Sequence, residues 1–198
     1  VIMDVVYNHV AGLTSSNFEK LVPGYYFRFT SSGTPSSGSG CGNDTASERA
    51  MFRKFMIDST AFLASEYKLG GYRFDLMGLH DVETMNQVVT SLKSINPDMA
   101  IYGEPWNMTT STTATLTTQA NLNQVPELAG FNDKIRDNIK GSYSSIGSEG
   151  WLQKEAPGAG MVSDLTNGFK GALNTTVVDP EKSLNYVSCH DNATLYDK

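Results

Sequence analysis

The sequence predicts an α/β fold built on parallel strands, on three observations. Apolar β-branched runs alternate with segments of helical periodicity, the pattern of strand, crossover helix, strand. The first run, "VIMDVV", is apolar enough to be a strand buried on both faces. Polar and acidic residues collect at the ends of the strand-like runs: Asn8 and His9, Asp75, Glu104, then His190, Asp191 and Asn192. In a closed (β/α)8 barrel the carboxyl ends of the strands are where chemistry sits. In an open doubly wound sheet they line a crevice. No glycine-rich phosphate loop follows any strand, which counts against a dinucleotide site; the glycines of "GGYRFD" precede their strand.

The elements follow in order. After the first strand comes a long polar stretch, including "TSSGTPSSGSGCGND" at 30–44, whose composition predicts a mobile loop. Thr45 stands three residues before Glu48, a capping-box spacing that would open a helix. Phe52, Phe55, Met56, Phe62 and Leu63 recur along that helix, and Gly70-Gly71 would end it. "GYRFDLM" reads as the next strand. Asp81 can cap a second helix carrying Val82, Met85, Val88, Val89, Leu92 and Ile95 on one side, closed by Pro97. "MAIYGEPW" is a third strand, and the Thr-rich "MTTSTTATLTTQ" is assigned no regular structure. A short apolar segment ends at Phe131, a helix is expected near 133–141, a Gly-rich polar region follows, and the last strand is expected at 184–192.

The chain has 198 residues, enough for one ordinary domain with a sizeable core. Its composition, 39% hydrophobic and 18% charged, is that of a globular protein and holds no membrane-spanning run. The net charge of -6 argues against nucleic acid as the main partner, because phosphate binding needs a basic footprint. A neutral ligand fits better. Cys41 and Cys189 make neither a metal spacing nor a disulfide framework, and two free thiols are the expectation. Cys189, read as mid-strand, is expected to be buried and inert. The chain opens inside an apolar run, without initiator Met or polar lead-in, so an excised piece of a longer protein is expected.

Within "GYRFDL", alternation puts Tyr72, Phe74 and Leu76 on one face and Arg73 and Asp75 on the other. A charged pair on a buried strand face is costly unless the two groups serve each other. It is therefore either a structural ion pair or part of a site. Asp75, Glu104 and Asp191 each stand at the end of a separate strand. One isolated acid is ordinarily a helix cap or a surface charge; three at equivalent positions of a repeating unit would converge at one mouth. Converging carboxylates can hold a divalent cation, or can divide into proton donor and nucleophile. Arg73 beside Asp75 suits an ionised nucleophile, and the apolar bulk of Pro105 and Trp106 beside Glu104 suits a protonated acid.

Four segments resemble the four signature regions of the α-amylase family of glycoside hydrolases, in family order. They are "DVVYNH" at 4–9, "GYRFD" at 71–75, "YGEPW" at 102–106 and "YVSCHDN" at 186–192. The resemblance covers nearly the whole chain and implies strands three to seven of a (β/α)8 TIM barrel, an incomplete barrel with a long loop insertion at about 10–46. Finer features resemble the bacterial type I pullulanase subgroup: "FEKLVPGYYFR" at 18–28, "GNDTASERAM" at 42–51, "RFDLMGLHD" at 73–81 and "HDNATLYDK" at 190–198. Leu76, Met77 and Gly78 stand where α-amylases more often place a Lys-His pair. Gly70 and Pro105 depart from common family choices of Asp and Gly. The first two and last barrel strands and a "YNWGYDP"-like segment are missing from the pattern, so the fragment alone is expected to be poorly soluble and inactive.

The resemblance implies a retaining hydrolase of α-1,6-glucosidic linkages in pullulan and branched α-glucans. Asp75 matches the nucleophile, Glu104 the general acid/base and Asp191 the third carboxylate, which grips sugar hydroxyls. Arg73 matches the partner of the nucleophile, His190 and His9 the histidines of the central subsite, and Asp4 and Asn8 residues that brace the site. Tyr7 and Trp106 could stack on sugar rings or simply pack, and Asn192 lies in the fourth region among the substrate-binding residues. His80 matches no family role. No cofactor is implied; a structural calcium near Asn8 stays open, with no ligand set visible. The implied partner is an α-glucan, with no nucleic acid and no membrane insertion. Rival readings are an α-1,4-acting hydrolase or transferase of the same family, a non-catalytic glycan-binding barrel and a metal-binding barrel. The compartment stays open between bacterial cytoplasm and cell exterior.

Overall fold

The structure, a computed structural model, describes residues 1–174 and 176–198. Its contacts divide the chain into two units, Val1–Leu128 and Ala129–Lys198. No helix among the described residues is long and apolar enough to cross a membrane.

The first unit is organised by three parallel strands. β1 (Ile2–Val5) pairs with a central strand that pairs in turn with a third. The short β2 (His9–Val10) leads through α1 (Asn17–Leu21) to β3 (Asn43–Asp44), its antiparallel partner. α2 (Ala50–Tyr67) then crosses to the central strand, β4 (Gly71–Phe74). α3 (Val82–Ile95) crosses to β5 (Ala100–Gly103). The register sets Asp4 beside Arg73 and Arg73 beside Tyr102.

The core lies between strands and helices. α2 buries Phe52, Met56, Thr60 and Ala64, an i, i+4 stripe. Fully burying a side chain such as Phe52 or Met56 contributes about 1.5–3 kcal/mol. Phe55 and Phe62, expected on that stripe, lie at its margin and are exposed. α3 buries Met85, Val88, Val89 and Leu92, and Asp81 caps it by accepting from the Thr84 amide, as its sequence predicts.

Other expectations are corrected. The cap of α2 is Arg49, with no side-chain hydrogen bond. Thr45 instead donates to the Tyr7 carbonyl (2.6 Å) and Glu48 pairs with buried Arg28 (2.7 Å), so tertiary partners outcompete the capping box. The glycines at 70–71 do not end that helix; Lys68, in the left-handed region at φ 51°, is its C-cap, and Gly71 begins β4. The polar stretch at 30–44 is tied down at Asp44, whose carboxylate accepts from Ser36 Oγ (2.9 Å), the Gly38 amide (2.7 Å), the Ser39 amide (3.2 Å) and Thr110 Oγ1 (2.6 Å). Leu76 leaves the alternation of its strand, because β4 ends at Phe74 and Leu76 takes φ 38°.

The second unit holds two parallel strands, β6 (Ala129–Asn132) and β7 (Ser183–Asn185). Between them lie α4 (Asp133–Lys140) and α5 (Ala159–Phe169). Asn132 caps α4 by accepting from the Ile135 amide (3.2 Å). α5 arises inside the region read as merely Gly-rich. A Cβ at Gly168 would come within 2.6 Å of Ile135 Cδ1, so the glycine that weakens the helix in sequence is what lets α4 approach it. The final strand is shorter than expected: it ends at Asn185, and 186–192 are irregular. Cys189 is correspondingly exposed rather than buried mid-strand, and both cysteines are free thiols.

Candidate active site

Parallel pairing places the two acids of the first unit. The Asp75 amide donates to the Val5 carbonyl (3.0 Å) and the Glu104 amide to the Phe74 carbonyl (3.1 Å). Each bond extends a ladder one step past the strand, so both residues leave the sheet at the same end. A carboxylate oxygen of Asp75 comes within 4.8 Å of one of Glu104.

Arg73 joins them. Its Nη1 donates to Asp4 Oδ1 (2.8 Å) and Asp75 Oδ1 (2.9 Å), and its Nη2 to Glu104 Oε1 (2.6 Å). Burial by itself would lower the Arg73 pKa, but the Asp4 bond, the Glu104 charge and the Asp75 bond hold it above the ordinary arginine value. The ion pair of "GYRFD" is thus one arm of a cluster that no reading of a single segment shows. The contrast expected from sequence, a cation at Asp75 and apolar walls at Glu104, does not form. Glu104 is buried, yet Oε1 meets Arg73 and Oε2 accepts from the Leu76 amide (2.8 Å). The left-handed backbone at Leu76 opens the turn that carries this amide. Within the turn, a Cβ at Gly78 would stand 2.0 Å from the Trp106 carbonyl oxygen, so glycine is required where the chain presses against "EPW".

Asn8 braces Asp75 from β1's side. Buried at 1% exposure, its Nδ2 donates to Asp75 O (2.7 Å) and Oδ2 (3.0 Å). Its Oδ1 faces His9 Nδ1, so the neutral His9 ring carries its proton on Nδ1 and offers Nε2 as an acceptor. The Thr45 amide donates to the Asn8 carbonyl (3.0 Å), and Thr45 Oγ1 holds the Tyr7 carbonyl next to it. Nothing in the local sequence marks Thr45 for this role. Tyr7 itself packs edge-on to Phe55 (centroids 5.8 Å apart) and gives its hydroxyl to a hydrogen bond with Ser59 (2.8 Å). Burial raises its pKa. Trp106 is half-buried at the end of the β5 segment.

His80 lies five residues beyond Asp75 and is wholly buried; among the described residues neither ring nitrogen has a hydrogen-bond partner, nor has Oγ1 of buried Thr117, whose amide holds the His80 carbonyl (2.8 Å). Burial, then the charge of Arg28, pushes the imidazole down to about 3.

In the second unit, His190 and Asp191 are exposed and Asn192 half-buried. His190 Nε2 lies 3.1 Å from Asp191 Oδ1, and Nδ1 lies 3.2 Å from Cys189 Sγ. Both ring nitrogens therefore have partners among their sequence neighbours.

No family model matches the chain. It is 40% identical, over its full length, to a pullulanase of Bacillus subtilis (strain 168), of which it spans 28%. A crystal structure of pullulanase complexed with maltotriose from Anoxybacillus sp. superposes with a TM-score of 0.91 at 44% identity, covering 98% of this chain and 28% of that one. The pullulanase of Paenibacillus barengoltzii, solved in complex with maltohexaose and alpha-cyclodextrin, gives 0.90 at 40% identity, with 98% and 31% covered. The chain thus spans less than a third of the length of these relatives.

Proposed function

We infer, from the premise that this chain belongs to the pullulanases of the α-amylase family, that the protein carrying it is a retaining glycoside hydrolase. Its substrates are pullulan and branched α-glucans, cut at α-1,6-glucosidic links. The observation that carries the reading is the approach of Asp75 and Glu104 to within 4.8 Å across a shared Arg73. A retaining mechanism needs two carboxyl groups about 5–5.5 Å apart, too close for the water an inverting enzyme places between them.

Asp75 attacks the anomeric carbon, forming a β-glycosyl-enzyme, while Glu104 protonates the departing glycosidic oxygen. Glu104 then takes a proton from water, which displaces Asp75 with a second inversion. Arg73 and Asn8 hold the attacking carboxylate by its two oxygens. With Glu104 protonated, Asp4 and Asp75 together outweigh the one guanidinium, and that negative charge favours the oxocarbenium-like transition state. Asp191, His190, His9 and Asn192 bind sugar hydroxyls. Trp106 and Tyr7 line the sugar site, and Asp4 supports it through Arg73. The strands belong to a (β/α)8 barrel, with 10–46 as a loop insertion. Turnover that withstands a chelator would argue against the metal-binding-barrel reading.

The test is pullulan hydrolysis by the full protein, followed by NMR of the first-formed anomer. Release of α-configured maltotriose from pullulan with little action on amylose is expected. A β-configured first product, or preference for amylose, overturns the reading.

A further inference from the structure

We propose that Arg136 and Lys140 are positioning residues for the segment 186–193, which carries His190 and Asp191. The proposal rests on the functional reading above and deepens it.

Among the described residues β7 ends at Asn185, where its register with β6 stops. The segment is irregular, and its central residues 188–191 are exposed. An irregular chain samples fewer conformations where side chains tether it. α4 supplies the hold at both ends. Arg136 Nη1 donates to Tyr186 Oη (2.8 Å), four residues after β6 gives way to the helix and just past the last residue of β7. Its guanidinium is fixed in turn by both oxygens of Asp137 (2.6 and 3.0 Å) and lies over the Tyr143 ring, 4.9 Å from the centroid. One helical turn later, Lys140 Nζ donates to the Ala193 carbonyl (2.7 Å). The i, i+4 spacing puts both cations on one helix face, and they grip the segment on either side of Asp191.

Lys140 is the telling residue. It is 1% exposed, and among the described residues its ammonium meets a carbonyl oxygen and no carboxylate. Burial, then the neighbouring Arg136 charge, lowers its pKa. A buried ammonium bonded to a carbonyl rather than a carboxylate costs folding free energy, which the charge of Asp137 offsets in part. The carbonyl it holds stands two residues beyond Asp191.

The test uses Lys140→Met in the full protein. The melting temperature is expected to hold or rise, amide hydrogen exchange in 186–193 to lose protection, and kcat on pullulan to fall roughly 100-fold, the scale of a 1 Å misplacement. In an Asp191→Asn background the same change is expected to leave kcat where Asp191→Asn put it, because its effect runs through Asp191. Unchanged exchange in 186–193, or the same fold-loss of kcat in both backgrounds, overturns the proposal. If exchange rises but Asp191→Asn alone leaves kcat intact, the anchoring stands and the functional reading falls.

Discussion

The two acidic segments of this chain are held by opposite means. In the first unit, Asp75 and Glu104 ride one step past paired strands, and their side chains converge on a buried guanidinium. In the second, Asp191 stands on exposed irregular chain beyond the end of β7, fastened by side chains of a helix. Backbone ladders position a residue to within the precision of the sheet at no side-chain cost. Beyond β7 the contacts are charged side chains reaching to a hydroxyl and a carbonyl, which are more easily broken and more easily tuned.

Substitutions can break or sharpen this contrast. The largest effect is expected at the strand-held site: Glu104→Gln removes general acid/base catalysis and lowers kcat by about 10²–10⁴-fold, read on pullulan. Arg73→Met strips the shared cation from Asp4, Asp75 and Glu104. Breaking the buried Arg73–Glu104 pair from one side costs about 3–5 kcal/mol, measurable by urea denaturation. Lys140→Met in the second unit is expected to cost no stability, so equal losses for the two cations would erase the contrast.

A smaller effect concerns His80. Its folded pKa, about 3, lies below the ordinary value of 6.5. The unfolded chain therefore binds a proton that the folded chain refuses. Stability is full above pH 6.5 and falls as pH drops from there toward 3, with a slope of up to about 1.4 kcal/mol per pH unit. Asp81 and Glu48, both held below their usual range against the opposing effect of burial, by hydrogen bonds and by Arg53 and Arg28, add their own loss at the acid end of that window. His80→Gln separates the two by flattening the upper part of the curve; an unchanged profile would contradict the assignment. The smallest effect is expected for Thr45→Val, which removes one hydrogen bond to the Tyr7 carbonyl and costs about 1 kcal/mol.

Legibility from sequence divides along the same physical lines. Asp81 capping α3 and its Met85–Leu92 stripe are readable because cap and stripe are local. The acids near the strand ends are readable from the strand-like runs that carry them, but the ends themselves, at Phe74 and Gly103, come earlier than those runs suggest. Thr45 and Glu48 satisfy a local rule and yet take partners 38 and 20 residues away, Tyr7 and Arg28. α5 escapes because its glycines lower helix propensity, and only contact with Ile135 shows what Gly168 is for. Cys189 reads as mid-strand because the strand-like stretch "LNYVSC" runs past Asn185, the last residue in register with β6.

By itself the sequence determined the alternation of strands and helices, the acids at strand ends and the family they resemble, because these depend on residue type and short spacing. Tertiary structure alone decided that one arginine serves three carboxylates, that an amide at Leu76 meets Glu104, and that Lys140 is buried against a carbonyl. Those outcomes depend on which distant groups share a low-dielectric space, where an unpaired charge or hydrogen bond is costly, and no spacing along the chain encodes that directly.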